Sequence, residues 1–256
     1  MNKHEISEYY DNFRDTRMSR YRILGNRRLS LAANKVKSLL RAGDAVADFG
    51  CGVGIVSEEM ARAREDVQVC AVDVSRANIE YARRTVKRSN IRFQEVGLTN
   101  GCEVLRELHK DGYNVIVLVD VIEHIREEDR PGLLKELASI ANNNAYLVLT
   151  YPSPEYQTYL SEHRPEELQI VDNTLPRDTL LSEAGDAGWT LKSFQYVDIW
   201  MSNQYIHAVF QKGDTPLELR RIRQPWFQQV VSVFKIAIQF PFRVWRYGWP
   251  SMTLKK

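Results

Sequence analysis

Short, nearly continuous apolar runs recur through the first part of the chain. After each comes a segment whose apolar residues return every three or four positions. The runs "AVADFG" (45–50), "VQVCAVDV" (67–74), "IRFQEV" (91–96), "YNVIVLVD" (113–120) and "AYLVLTYP" (145–152) read as strands. Helical spacing predicts helices over 55–64, 76–88, 104–110 and 131–141. Strands that are apolar throughout, rather than alternating, are covered on both faces. Regular alternation with helices makes the sheet parallel, with right-handed crossovers.

The flanks differ. Residues 5–41 read as helix, with Leu31, Ala32, Val36, Leu39 and Leu40 near helical spacing and Gly43 as the stop. Beyond Pro152 a loop and short helix precede a helix that runs to Gly188. The segments "TLKSFQYVDIW" and "QYIHAVFQK" then read as an antiparallel pair at the sheet edge. The expected class is α/β: a Rossmann-like, doubly wound, mostly parallel sheet with an antiparallel edge hairpin. The expected division is an N-terminal helical cap (1–42), the sheet domain (43–213) and a tail of different composition (214–256).

Composition narrows the setting. A chain of 256 residues, 44% hydrophobic and 27% charged, suits a soluble globular protein with a full-sized core. A net charge of +2 gives no electrostatic hint of nucleic acid. Cys51, Cys70 and Cys102 are odd in number and lack metal-ligand spacing, which points to a reducing cytosol. The polar start "MNKHEISEYYDNFRD" has no apolar signal region.

From Leu219 onward the tail carries Arg220, Arg221, Arg223, Lys235, Arg243 and Arg246 among many aromatic residues, and no acid. Its apolar runs are too interrupted to span a bilayer, for which about 20 apolar residues are needed. A basic, aromatic, amphipathic stretch over 219–249 fits an in-plane membrane contact at the cytoplasmic face. A homodimer contact or a docking segment for a partner protein are the rival readings.

The chemistry concentrates at "DFGCGVG", which closes the first strand and opens the first helix of the sheet. In open α/β sheets ligands sit outside the carboxyl ends of the strands. Gly50, Gly52 and Gly54 allow close approach of a ligand to bare backbone. Asp48 would repel a pyrophosphate but can hold an ammonium group. Asp73, ending the second strand, is placed to accept from a ribose diol. The ligand inferred is a nucleoside that carries an amino-acid amine and no phosphates.

These residues, with "AVDVS" and "NVIVLVDVIEHI", resemble the motifs of the class I S-adenosylmethionine-dependent methyltransferases, over about residues 40–150. The resemblance implies S-adenosyl-L-methionine as cofactor. It puts Asp48, Gly50, Cys51, Gly52 and Gly54 on the methionine side, Asp73 on the ribose, Val74 and Ser75 beside the adenosine, and Asp120 along the cofactor. One departure is visible. Where relatives often carry an acid near the adenine amine, this chain has Gly97.

Transfer of a methyl group to a hydroxyl needs alignment and often a general base. His124, beside Asp120 and Glu123, is one candidate. The "DVIEH" run also resembles the E-x-x-E-H pattern of ubiquinone-pathway O-methyltransferases, where such a cluster is associated with a divalent metal. No metal is assigned. His163, on the segment after the fifth strand, is the second candidate base. In relatives an N-terminal helix closes over the cofactor, and Arg20 or Arg22 is the expected partner of the methionine carboxylate.

The region after the fifth strand looks similar to methyltransferases of bacterial surface-polysaccharide synthesis. The expected function is an O-methyltransferase acting on a hydroxyl of a lipid-linked glycan or surface polysaccharide, cytoplasmic and peripheral to the inner membrane face. The acceptor would be a glycan or glycolipid, with a glycan-assembly partner as a further expectation. Alternatives are a quinone-pathway O-methyltransferase and a non-catalytic adapter that recruits a partner through its tail. A nucleic-acid methyltransferase of the N/D/S-P-P-aromatic type is disfavoured, because that position reads "DVIE".

Overall fold

The computed structural model describes Tyr21 and residues 24–168 and 172–213. The expected Tyr–Arg segment through Arg20 and Arg22, and the basic tail from 214, lie outside the described residues. The described elements are α1 (Arg27–Lys37), β1 (Ala45–Phe49), α2 (Ile55–Ala63), β2 (Gln68–Asp73), α3 (Arg76–Thr85), β3 (Ile91–Glu95), α4 (Gly101–Leu108) and β4 (Tyr113–Val119). A 3₁₀ turn (Ile122–His124) then leads to α5 (Arg130–Ile140) and β5 (Ala141–Pro152). They are followed by α6 (Pro154–His163), a second 3₁₀ turn (Pro165–Glu167), α7 (Arg177–Asp186), β6 (Trp189–Val197) and β7 (Tyr205–Lys212).

The strands form one sheet in the order β3-β2-β1-β4-β5-β7-β6. Pairing is parallel from β3 through β5, and β7 and β6 add antiparallel. This is the expected Rossmann-like sheet with its edge hairpin. Alternate residues of the buried strands feed the two faces, as the two-residue period requires. Ile116 and Leu118 of β4 pack with Leu105, Leu134 and Leu147 on one side. Val115 and Val117 pack with Val36, Val46 and Met60 on the other. Helix α1 belongs to that second layer through Leu29, Ala33 and Val36.

Element ends depart from expectation where local capping decides them. Asn26 caps α1 by accepting from the Leu29 amide at 3.2 Å, and Gly25 before it has φ 76°, outside the helical region. α1 ends at Lys37 rather than at Gly43, because Ser38 folds its hydroxyl back onto the Lys35 carbonyl at 2.7 Å. β5 starts at Ala141, earlier than expected. Its polar beginning pairs with Tyr113, and the register then shifts before Tyr146.

One ion pair fixes the outer layer. Arg130 of α5 is 1% exposed and meets both carboxylate oxygens of Glu183 on α7, Nε at 2.6 Å and Nη2 at 2.9 Å. The Trp189 indole donates to the Leu134 carbonyl at 3.1 Å and ties β6 to the same helix. Removing one partner of a buried pair leaves a charge without compensation, at about 3–5 kcal/mol. Glu183→Ala should therefore lower unfolding free energy by about that amount in a urea titration, while Arg130→Met with Glu183→Leu stays much closer to the wild type. Equal losses in the two variants would contradict this assignment.

Candidate functional site

Strand order reverses beside β1: the chain moves outward to β2 and β3, then returns to β4 on the other side. A cavity of about 960 Å³ opens at the carboxyl ends of these strands. The glycine loop forms one wall. Gly50 has φ 78°, and a Cβ there would collide with the Val121 side chain. The Gly50 and Cys51 amides both donate to the Val72 carbonyl, at 2.8 and 2.9 Å, which folds the loop over β2.

Asp73 organises the next wall. Its Oδ2 accepts from the Gly52 amide at 2.7 Å, and its Oδ1 from the Ser75 amide at 2.9 Å and Asn78 Nδ2 at 3.3 Å. These three donors fix the carboxylate on the cavity wall. Asp48 is 1% exposed and accepts from Ser57 Oγ at 2.5 Å. Burial pushes its carboxyl up to about 7; the Ser57 hydrogen bond opposes this and the Asp73 charge adds to it.

The far wall comes from distant parts of the chain. Arg28 of α1 reaches Asp120 just past β4, Nε to Oδ2 at 3.1 Å, and donates from Nη1 to Tyr205 Oη of β7 at 2.6 Å. Burial works against the guanidinium charge, but Asp120 and Tyr205 outweigh it and hold Arg28 protonated. Asp120 has φ 56°, in the left-handed region. A non-glycine residue held there costs about 1–3 kcal/mol, a strain typical of functional sites.

In the turn after β4, Glu123 is 2% exposed and His124 lines the cavity beside it. His124 Nε2 is 3.9 Å from Glu123 Oε1, and its Nδ1 is 3.9 Å from Asp172 Oδ1. Gln157 of α6 donates to Asp172 at 2.6 Å and fixes that carboxylate. Burial pushes Glu123 well above the usual carboxyl range, and the charge of Asp120 adds to the rise. Burial likewise raises Asp120, with Arg28 and His124 pulling the other way.

The structure brings most of the expected residues together. Asp48, Gly50, Cys51, Gly52, Asp73, Val74, Asp120, Glu123 and His124 all line this cavity. Gly54 and Ser75 do not. Gly54 gives its space to the Phe93 ring, which a Cβ there would approach to 2.8 Å. Ser75 is buried and caps α3 by accepting from the Asn78 amide at 3.1 Å.

His163 is a correction. It ends α6, is more than half exposed, stacks on Tyr159 and lies 3.1 Å from the Tyr159 carbonyl, away from the cavity. Arg28, Asp172, Tyr205 and Trp200, which do line the cavity, were missed. Arg28 had a signal: it is a cation beside apolar Leu29, in the first turn of a helix capped by Asn26. Among the described residues, no group of three or more His, Cys, Asp and Glu side chains could hold a metal ion. Nor is any described helix long and apolar enough to cross a membrane.

The lining fits S-adenosylmethionine. A bare glycine loop, the Asp73 carboxylate, and apolar Val74, Val96 and Leu98 all line this one cavity. Between Val96 and Leu98, Gly97 offers no acidic side chain, as the sequence indicated.

Asp48 gives a direct test of the site electrostatics. Its folded value of about 7 lies above the ordinary 3.8, so the unfolded chain loses its proton first as pH rises. This residue's contribution to stability therefore falls between about pH 4 and 7 and is flat above, by up to ~4 kcal/mol. Asp48→Asn should be more stable than the wild type at pH 8, with the gap closing toward pH 4 in thermal melts. A gap that is independent of pH would contradict the raised value.

A family model described as "Methyltransferase domain" matches residues 17–193. Two curated relatives are both named ubiquinone biosynthesis O-methyltransferase. The protein of Shewanella sp. (strain ANA-3) is 29% identical over 52% of this chain and 63% of its own length. That of Psychrobacter cryohalolentis is 31% identical over 38% of this chain and 37% of its own. The chain thus matches less than two thirds of the length of these relatives.

Among solved structures, magnesium protoporphyrin IX methyltransferase from Synechocystis PCC 6803 with bound SAH is similar with TM-score 0.62 and 18% identity, over 83% of this chain and all of that one. An O-methyltransferase family protein from Burkholderia thailandensis gives TM-score 0.61 and 15% identity, over 81% of this chain and 60% of that one. These likenesses establish the fold. The family model spans well over half of the chain, and the protein belongs to the methyltransferase-domain family.

Proposed function

We propose that the protein is an S-adenosylmethionine-dependent O-methyltransferase that methylates a hydroxyl of a lipid-linked glycan or surface polysaccharide at the membrane face. The observation that carries the methyltransferase reading is the Asp73 carboxylate, held by the Gly52 and Ser75 amides beside a bare glycine loop. When bound, the cofactor supplies an electrophilic methyl group on a positively charged sulfur. Asp73 accepts from the ribose hydroxyls, Asp48 holds the ammonium group, and Arg28 takes the methionine carboxylate in place of the expected Arg20 or Arg22.

On the acceptor side, His124 stands between two carboxyl groups, with Nδ1 3.9 Å from Asp172 Oδ1 and Nε2 3.9 Å from Glu123 Oε1. In this reading His124 Nε2 takes the proton of the acceptor hydroxyl, whose oxygen would gain the methyl group as the bond from methyl to the cofactor sulfur breaks. The convergence of Glu123, His124, Asp172 and the aromatic rings of Tyr156 and Trp200 on one cavity suits a polyhydroxylated acceptor. The basic aromatic segment 219–249 would keep the enzyme at anionic lipid. A second reading, a quinone-pathway phenol as acceptor, is favoured by the names of the curated relatives.

The test is transfer of label from S-adenosylmethionine into fractionated bacterial membranes, with Asp73→Ala as control. Hydrogen bonds to a charged group are worth about 1.5–3 kcal/mol each. Losing two to the ribose should weaken cofactor binding on the order of a hundredfold or more and remove the label. Label in a glycolipid or polysaccharide fraction supports the first acceptor, and label in a small phenolic lipid supports the second. Unchanged cofactor affinity in Asp73→Ala would overturn the site assignment.

A further inference from the structure

Glu123 has no place in the cofactor scheme, yet it stands on the cavity wall. Its side chain is 2% exposed, and Oε2 has no hydrogen-bond partner. A buried carboxyl oxygen without a partner is costly, and native structures keep few of them. Asp120, on the same wall, also leaves one oxygen, Oδ1, without a partner while Oδ2 meets Arg28. The Glu123 carboxyl lies 3.9 Å from His124 Nε2, the nitrogen assigned to the reacting hydroxyl.

We propose that Glu123 reads the acceptor: its buried carboxyl hydrogen-bonds a second oxygen of the acceptor, next to the hydroxyl that His124 deprotonates. This rests on the O-methyltransferase reading and deepens it, because it restricts acceptors to molecules with neighbouring oxygens. Such pairs occur on sugar rings and on dihydroxylated aromatic rings, and the chemistry is the same for both.

The protonation state fits this role. Burial and the nearby Asp120 charge push the Glu123 carboxyl well above its ordinary value, which favours its neutral form. A neutral carboxyl has one O–H to give and retains acceptor capacity, so it can match a hydroxyl or an ether oxygen. It does so without placing a second full charge beside Asp120. The cost in the free protein is an unmet polar group, in line with the trade of stability for function at active sites.

That trade supplies a readout that needs no identified acceptor. Glu123→Met replaces the unmet carboxyl with an apolar side chain of similar length. It should melt about 2–4 °C above the wild type, bind S-adenosylmethionine unchanged by calorimetry, and lose methyl transfer to membrane extract by about a hundredfold or more. Glu123→Gln keeps a neutral hydrogen-bonding group and should recover most of that loss. Hydrolysis of the labelled product then tells a methylated sugar from a methylated aromatic ring, and either one must carry an oxygen beside the new ether. A Glu123→Met protein that melts lower, loses cofactor binding or keeps its transfer would overturn the proposal, as would a product with no neighbouring oxygen. A wild-type protein that binds the cofactor and labels nothing would be a different failure: it would remove the O-methyltransferase reading and this proposal with it.

Discussion

Between β1 and β4 the chain departs in opposite directions, and the crevice left at their carboxyl ends governs everything else in this molecule. The constraint is geometric. Two adjacent parallel strands whose following helices go to different sides leave their ends uncovered. The loop after β1 must then turn sharply against β2, and Gly50 is required because any side chain there would strike Val121. The same reversal brings the turn after β4 to the opposite wall, so that the glycine loop and the Glu123–His124 turn share one cavity.

Into that crevice the fold places four carboxyl groups, Asp48, Asp73, Asp120 and Glu123, and it treats each differently. Asp73 is satisfied by amide donors. Asp120 is paired with Arg28 through a strained backbone. Asp48 and Glu123 are raised by burial, with a neighbouring carboxylate adding to each. Separate environments for chemically similar groups allow separate tasks at one pH; in the proposed scheme these are a ribose anchor, an ammonium site, and a carboxyl raised by burial that faces the acceptor.

Legibility in the sequence followed the same division. Strands β1 to β5 were visible because both faces of each are buried, which leaves continuous apolar runs. Their ends were less so. The boundary of α1 depends on Asn26 and Ser38 side chains, and the start of β5 is hidden in polar Asn142–Asn144. The cofactor half was legible because its residues sit at the ends of strands: Asp48 to Gly52 at the end of β1, Asp73 and Val74 at the end of β2. The far wall was not, because Arg28, Asp172 and the pair Trp200 and Tyr205 come from three distant segments that only the fold unites. His163 looked equivalent to His124 in the sequence. The difference is position on α6, where Gln157 and Leu160 turn inward and the helix has left the cavity wall by His163.

The central claim is that one cavity seats a nucleoside on Asp73 with its amino-acid end toward Asp48 and Arg28. A crystal structure of the protein with S-adenosylhomocysteine tests it most directly. The account predicts both ribose hydroxyls within hydrogen-bond distance of Asp73 and the amino-acid carboxylate against Arg28. A ligand seated elsewhere, or a ribose that leaves Asp73 untouched, would contradict it.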